Sequence, residues 1–226
     1  MNATIRNRFH PELLSPTGSL SPFGVERRFA FKRLDLQKGE RLLLIGRFPA
    51  ADLSLVPDSA RGVVAGFGTG PELRESGRSG FTTRRLDPDG FELPDDTFDA
   101  VALHGALDGI DDPARCLAEA GRVVRPGGRV TVLDRFLPAG FHPPLWHRVA
   151  NRKVDVVFRA AELAFEEILE RSQAPLEPIS DEPCPPPSAM RVVLLRKPES
   201  ARERVPFMGS WISQAFAASM AIAVPA

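Results

Sequence analysis

Two residues of this chain fall where a parallel sheet gathers its chemistry. His104 follows the apolar run Phe98-Asp99-Ala100-Val101-Ala102-Leu103, and Asp134 follows Val130-Thr131-Val132-Leu133. Each run reads as a buried strand, so each residue lands at the carboxyl edge where open α/β sheets hold their ligands. A histidine there can act as a general base or orient a substrate. A loop histidine with no catalytic task is the alternative. Asp134 faces the same edge, with capping of the following turn as its plain structural reading. Cys116 and Cys184 are the only two cysteines, too few for a disulfide framework and without metal-ligand spacing. No metal site is expected. Gly66-Phe67-Gly68 is not a dinucleotide fingerprint, because the following spacing and context are missing.

The element that spaces His104 from Asp134 is a βαβ unit. Asp112 then Pro113 is a helix start, a carboxylate N-cap followed by proline at the first helical position. Leu117, Gly121 and Val124 recur at i, i+4, i+7 and give that helix an apolar face. Arg125-Pro126-Gly127-Gly128 is expected to stop it, and Arg129 to Leu133 to form the next strand.

This unit also carries a resemblance. Leu93-Pro94-Asp95-Asp96-Thr97-Phe98-Asp99, Asp112-Pro113, Leu117, Glu119 and Arg122-Val123-Val124-Arg125-Pro126-Gly127-Gly128 stand in order. They resemble the later half of the class I S-adenosylmethionine-dependent methyltransferases, in the branch around the ubiquinone/menaquinone C-methyltransferases and phospholipid N-methyltransferases. The resemblance covers roughly residues 25 to 198. It implies an α/β, Rossmann-like fold: a central, mostly parallel seven-stranded sheet with helices on both faces. It also implies methyl transfer from S-adenosylmethionine to a small molecule or lipid headgroup. His104 and Asp134 are then the candidate catalytic residues, and Gly46 and Asp87 the candidate cofactor-binding ones.

The cofactor text itself departs from the family. Arg41 to Gly46 reads as the first strand, and in the family this strand runs into V-L-D-V-G-C-G-T-G. Only Gly46 of those glycines is kept; Phe48 and Ala50 replace the next two, and Leu44 replaces the acid. Glycine there lets the backbone approach the methionine end of the cofactor, so Phe48 is a steric plug. Gly68 stands where the resemblance calls for the acid that holds the ribose hydroxyls. Asp87 stands where an acid contacts the adenine amino group, although Asp87-Pro88-Asp89-Gly90 is equally good turn chemistry. Weak or no binding of S-adenosylmethionine is therefore expected. A catalytically inactive pseudo-methyltransferase, serving as a binding or scaffold subunit, is the competing reading.

The bulk numbers agree with one α/β domain. The chain has 226 residues, 43% hydrophobic and 26% charged, within the ordinary range for a globular domain. A formal net charge of zero offers no general attraction to nucleic acid, and no nucleic-acid partner is expected. No signal-peptide or membrane-span pattern is visible, so a cytoplasmic protein without a transmembrane segment is expected. Residues 1–24 read as an irregular arm, 25–198 as the methyltransferase-like domain and 199–226 as an apolar extension. Around the core βαβ unit, the pattern predicts a basic helix from Val25 to Leu36 and a cap from His142 to Arg152. It also predicts a helix from about Asp155 to Glu170 and closing strands at Leu176 to Ile179 and Met190 to Leu195. In the extension, Trp211, Ala215, Ala218 and Ile222 follow a helical stripe. Residues 206–226 can pack on their own domain, serve a homo-oligomer or protein partner, or lie on a membrane surface.

Overall fold

The apolar runs become neighbours in one sheet. The computed structural model describes residues 24–46, 52–67, 78–107, 110–136, 164–185 and 190–199. Phe48, Ala50, Gly68, the cap at 142–152 and the extension at 206–226 lie outside the described residues, as does the arm up to residue 23. The strands are β1 (Arg41–Gly46), β2 (Arg61–Phe67), β3 (Phe81–Leu86), β4 (Phe98–His104), β5 (Val124–Asp134), β6 (Glu177–Pro183) and β7 (Arg191–Arg196). Their order across the sheet is β3-β2-β1-β4-β5-β7-β6. Strands β1 to β5 pair in parallel, β7 runs antiparallel to β5, and β6 antiparallel to β7. The expected seven-stranded, mostly parallel sheet is therefore present.

Helices cover both faces, which is why the central strands are apolar throughout rather than alternating. Leu43 and Ile45 of β1 join the core beneath α2 (Pro113–Val123) and α3 (Phe165–Ser172). Leu42 and Leu44 join the opposite core with Phe31 and Leu34 of α1 (Gly24–Leu34). Arg27, Ala30, Phe31 and Leu34 form the buried side of α1, at i, i+3, i+4, i+7. That helix stops short of the expected Leu36 because Asp35 takes φ +49°. Arg129 Nε then donates to the Leu34 carbonyl at 2.9 Å, capping the helix end.

The α2 start is as expected: Asp112 Oδ1 accepts from the Arg115 amide at 3.0 Å, with proline in the first turn. Its other end is held by Lys197, whose Nζ donates to the Gly121 and Val124 carbonyls, each at 2.8 Å. The expected break after the helix is corrected. Strand β5 starts at Val124 rather than Arg129, and Arg125 to Gly128 lies inside it as an irregularity in register with β4. Gly127 makes this possible at φ +74°, its amide donating to the Lys197 carbonyl at 2.7 Å. Pairing with the chain after β7 thus overrides the breaker chemistry of Pro126-Gly127-Gly128.

Candidate functional site

The sheet's order reverses between β1 and β4, because β1 continues outward to β2 and β3 while β4 starts the other half. Such a switch point opens a crevice at the carboxyl ends of the two strands. Gly46 and His104 are register partners there. His104 is the last residue of β4 rather than part of the loop beyond it. Its neighbour Leu103 belongs to the core under α2, so alternation turns the imidazole toward α1.

Under α1 the ring meets Phe31 and Asp52, and Arg27 meets Asp52 in turn. The Phe31 ring stands edge-on at 5.0 Å between centroids. Asp52 Oδ2 lies 3.5 Å from His104 Nδ1, and Arg27 Nε lies 2.9 Å from Asp52 Oδ1. Asp52 opens a helical turn after β1, its carbonyl accepting from the Leu55 amide at 2.9 Å. Residue exposures of 4% for Arg27, 0% for Asp52 and 4% for His104 make this a buried charged cluster. Neither carboxylate oxygen nor either ring nitrogen has an aligned hydrogen bond among the described residues. A buried polar group without a hydrogen bond costs about 1–3 kcal/mol, which the Arg27–Asp52 ion pair offsets in part.

Sequence reasoning missed Arg27 and Asp52. The signal was available for Arg27, an arginine on the apolar stripe it shares with Ala30, Phe31 and Leu34. For Asp52 there was none, since its partners come from distant parts of the chain. Leu44 of β1 packs in the same core as Leu53, the neighbour of Asp52. A carboxylate is therefore present on this side of the sheet although β1 carries none.

Gly46 has a packing reason of its own. A Cβ there would stand 2.8 Å from the His104 carbonyl oxygen and 3.4 Å from Asp52 Oδ2. Asp134 is 2% exposed, and both its oxygens are engaged. Oδ2 accepts from the Leu107 amide and Oδ1 from the Arg135 amide, each at 3.0 Å. The carboxylate thus ties the end of β5 to the loop after β4. Alternation from Leu133, which packs with Ala30 of α1, places Asp134 on the α2 side of the sheet. His104 and Asp134 share an edge but occupy opposite faces, so the structure does not bring them together. Asp87 is exposed at the end of the edge strand β3, with Oδ1 accepting from the Asp89 amide at 2.9 Å.

The thiols are poor nucleophiles. Burial pushes the Cys116 thiol far above its ordinary range, with the Asp134 and Glu119 charges adding to the effect. Burial, then the Glu26 charge, pushes Cys184 up to about 11. No group of His, Cys, Asp and Glu among the described residues is arranged to hold a metal. A groove of about 290 Å³ lies at the other edge of the sheet, lined by Asp95, Arg122, Gln173 and Lys197 among others. It is remote from the strand ends that carry His104 and Asp134.

Residues 65–132 match a family described as "Methyltransferase domain". The match begins inside β2 and so excludes β1 and the segment after it. A demethylmenaquinone methyltransferase of Corynebacterium glutamicum (strain R) is 33% identical over 128 residues, covering 54% of this chain and 54% of its own. A ubiquinone/menaquinone biosynthesis C-methyltransferase of Geobacter sulfurreducens is 30% identical over 134 residues, covering 53% and 52%. The chain thus spans about half the length of the curated relatives it matches. A putative methyltransferase from Bacillus halodurans C-125 superimposes with a TM-score of 0.59 at 18% identity, covering 70% of this chain and 72% of that one. The [4+2]-cyclase SpnF gives 0.58 at 20% identity, covering 77% and 80%. These structural likenesses establish the fold.

Proposed function

Starting from a class I methyltransferase-like protein, we propose that this chain transfers a methyl group from S-adenosylmethionine to a small molecule at the carboxyl edge of its sheet. The observation that carries the reading is the β1–β4 reversal, where side-chain-free Gly46 and the buried imidazole of His104 stand side by side.

The residues at this edge suit the cofactor in part. Gly46 keeps the end of β1 clear of a side chain, and the exposed Asp87 carboxylate can accept from an adenine amino group. Gly68 offers the ribose no acceptor, and Phe48 and Ala50 replace glycines at its methionine end. Each missing charged hydrogen bond is worth about 1.5–3 kcal/mol, roughly tenfold or more in affinity, so binding is weak. The cofactor, when bound, supplies an electrophilic methyl group. The protein's part is chiefly to position the acceptor. His104 is the candidate proton acceptor, and Asp134 holds the shape of the edge through Leu107 and Arg135. The relatives named for menaquinone and ubiquinone synthesis make an apolar, ring-bearing acceptor or a lipid the first class to try.

Titration calorimetry of the full chain with S-adenosylmethionine and S-adenosylhomocysteine tests this reading, followed by labelled-methyl transfer to a demethylated naphthoquinol. The expected results are weak saturable binding and slow transfer. The Phe48→Gly, Ala50→Gly, Gly68→Asp triple variant should bind about tenfold or more tightly. Low-micromolar affinity in the parent would remove the argument for an impaired site. No binding by parent or by folded triple variant would overturn the methyl-transfer reading in favour of a scaffold that does not use the cofactor.

A further inference from the structure

The cluster under α1 contains more than its histidine. Its three polar members come from elements separated in sequence: Arg27 from α1, Asp52 from the turn after β1, and His104 from the end of β4. An ionised carboxylate at 0% exposure demands a compensating charge, and Arg27 at 2.9 Å provides it through Oδ1. The second oxygen, Oδ2, is left facing His104 Nδ1 at 3.5 Å. That separation is longer than a hydrogen bond, yet it sets the carboxylate oxygen beside this ring nitrogen. The other ring nitrogen, Nε2, is buried with no protein partner among the described residues. Phe31 at 5.0 Å supports the ring from the side.

We propose that Asp52 is a positioning residue for His104: held by Arg27, its carboxylate keeps the imidazole proton on Nδ1 and leaves Nε2 as the proton-accepting nitrogen. The chemistry follows from the donor inventory. A neutral imidazole has one donor and one acceptor nitrogen, and a carboxylate can only accept. With Oδ2 opposite Nδ1, the tautomer with Nδ1 protonated is favoured, and the lone pair is presented at Nε2. Arg27 acts one step further away, aiming Oδ2 by occupying Oδ1. The role assigned here rests on His104 as the proton acceptor of the proposed reaction, but the tautomer itself does not depend on that reaction.

Long-range proton–nitrogen correlation spectra of the ¹⁵N-labelled full chain read the tautomer directly. They are recorded where the imidazole is neutral, with the resonance assigned by comparison with His104→Gln. The wild type should show Nδ1 protonated and Nε2 bare. In Asp52→Asn, Arg27 takes the amide oxygen and the NH₂ group turns toward Nδ1, so the ratio should shift at least about tenfold toward the Nε2-protonated form. If methyl transfer is observed, the same variant should lower kcat and leave KM for the acceptor unchanged. A wild-type ring protonated on Nε2 overturns the proposal, and this arm needs no variant to fold. An unchanged tautomer in folded Asp52→Asn overturns it as well. The expected tautomer in a protein that transfers no methyl group would keep the role of Asp52 and reject only the reaction.

Discussion

The two edges of the sheet solve the same problem, a buried or half-buried arginine beside a carboxylate, in opposite ways. At the amino edge, Glu119 accepts from Arg122 Nε at 2.9 Å and Nη2 at 2.7 Å, and also from the Phe91 amide at 2.8 Å. Arg122 Nη1 reaches on to the Leu93 carbonyl at 2.7 Å, and Lys197 Nζ reaches Asp96 at 2.6 Å. Every group there meets an aligned partner. At the carboxyl edge, Arg27, Asp52 and His104 are close, buried and poorly aligned. Leu93, Asp95, Asp96, Glu119 and Arg122, the residues that carry the resemblance, lock α2 to the sheet on the side away from the strand ends. They maintain architecture at the amino edge, while the polar groups of the carboxyl edge are buried without aligned hydrogen bonds among the described residues.

Asp52→Ala removes the carboxylate that lies 2.9 Å from the buried Arg27 guanidinium and should destabilise the fold by about 3–5 kcal/mol. Adding Arg27→Met should recover most of that loss, since an apolar replacement of the pair removes the buried charge. Urea denaturation of the single and double variants measures both. A double variant no more stable than the single would mean the cluster is not held by charge compensation. At the amino edge, Arg122→Ala should cost less, about 2–3 kcal/mol, because its lost bonds are charge-assisted and water can replace some of them. Its side chain is 32% exposed, which is what admits that water.

The smallest expected effect is in acid. The hydrogen bonds from Arg122 outweigh burial and, with the Phe91 amide, hold the Glu119 carboxyl below its ordinary value of 4.5. A carboxyl depressed in the folded state contributes stability above its unfolded pKa and loses it as pH falls through the folded value. Glu119→Gln should therefore flatten the fall of melting temperature below pH 4.5 relative to the parent. Parallel acid limbs in the two proteins would count against the clamp as a source of stability.

Local chemistry was legible wherever it acted locally. Arg41–Gly46 is apolar from Leu42 to Ile45, and the strand matches the sequence pattern. Asp112-Pro113 announced the start of α2 because a cap and its helix are adjacent in the chain. The start of β5 was not legible, since Gly127 answers to Lys197, a residue far along the chain. Arg27 looked like one more charge on a basic helix until Asp52 appeared beneath it. His104 was placed at the right edge from its strand alone. Its face, and its separation from Asp134, required both strands and their registers.

The order of the sheet has a consequence for biosynthesis. Strand β7 is the last described strand to leave the ribosome, yet it is inserted between β5 and β6. Until it arrives, β5 presents an open edge and β6 has no strand to pair with, because β6 joins the sheet only through β7. The C-terminal carbonyls of α2 also wait for Lys197, just beyond that strand. The nascent chain therefore carries an incomplete sheet until almost the whole domain has been synthesised, and the half containing β1 to β5 must remain free of other chains through that interval.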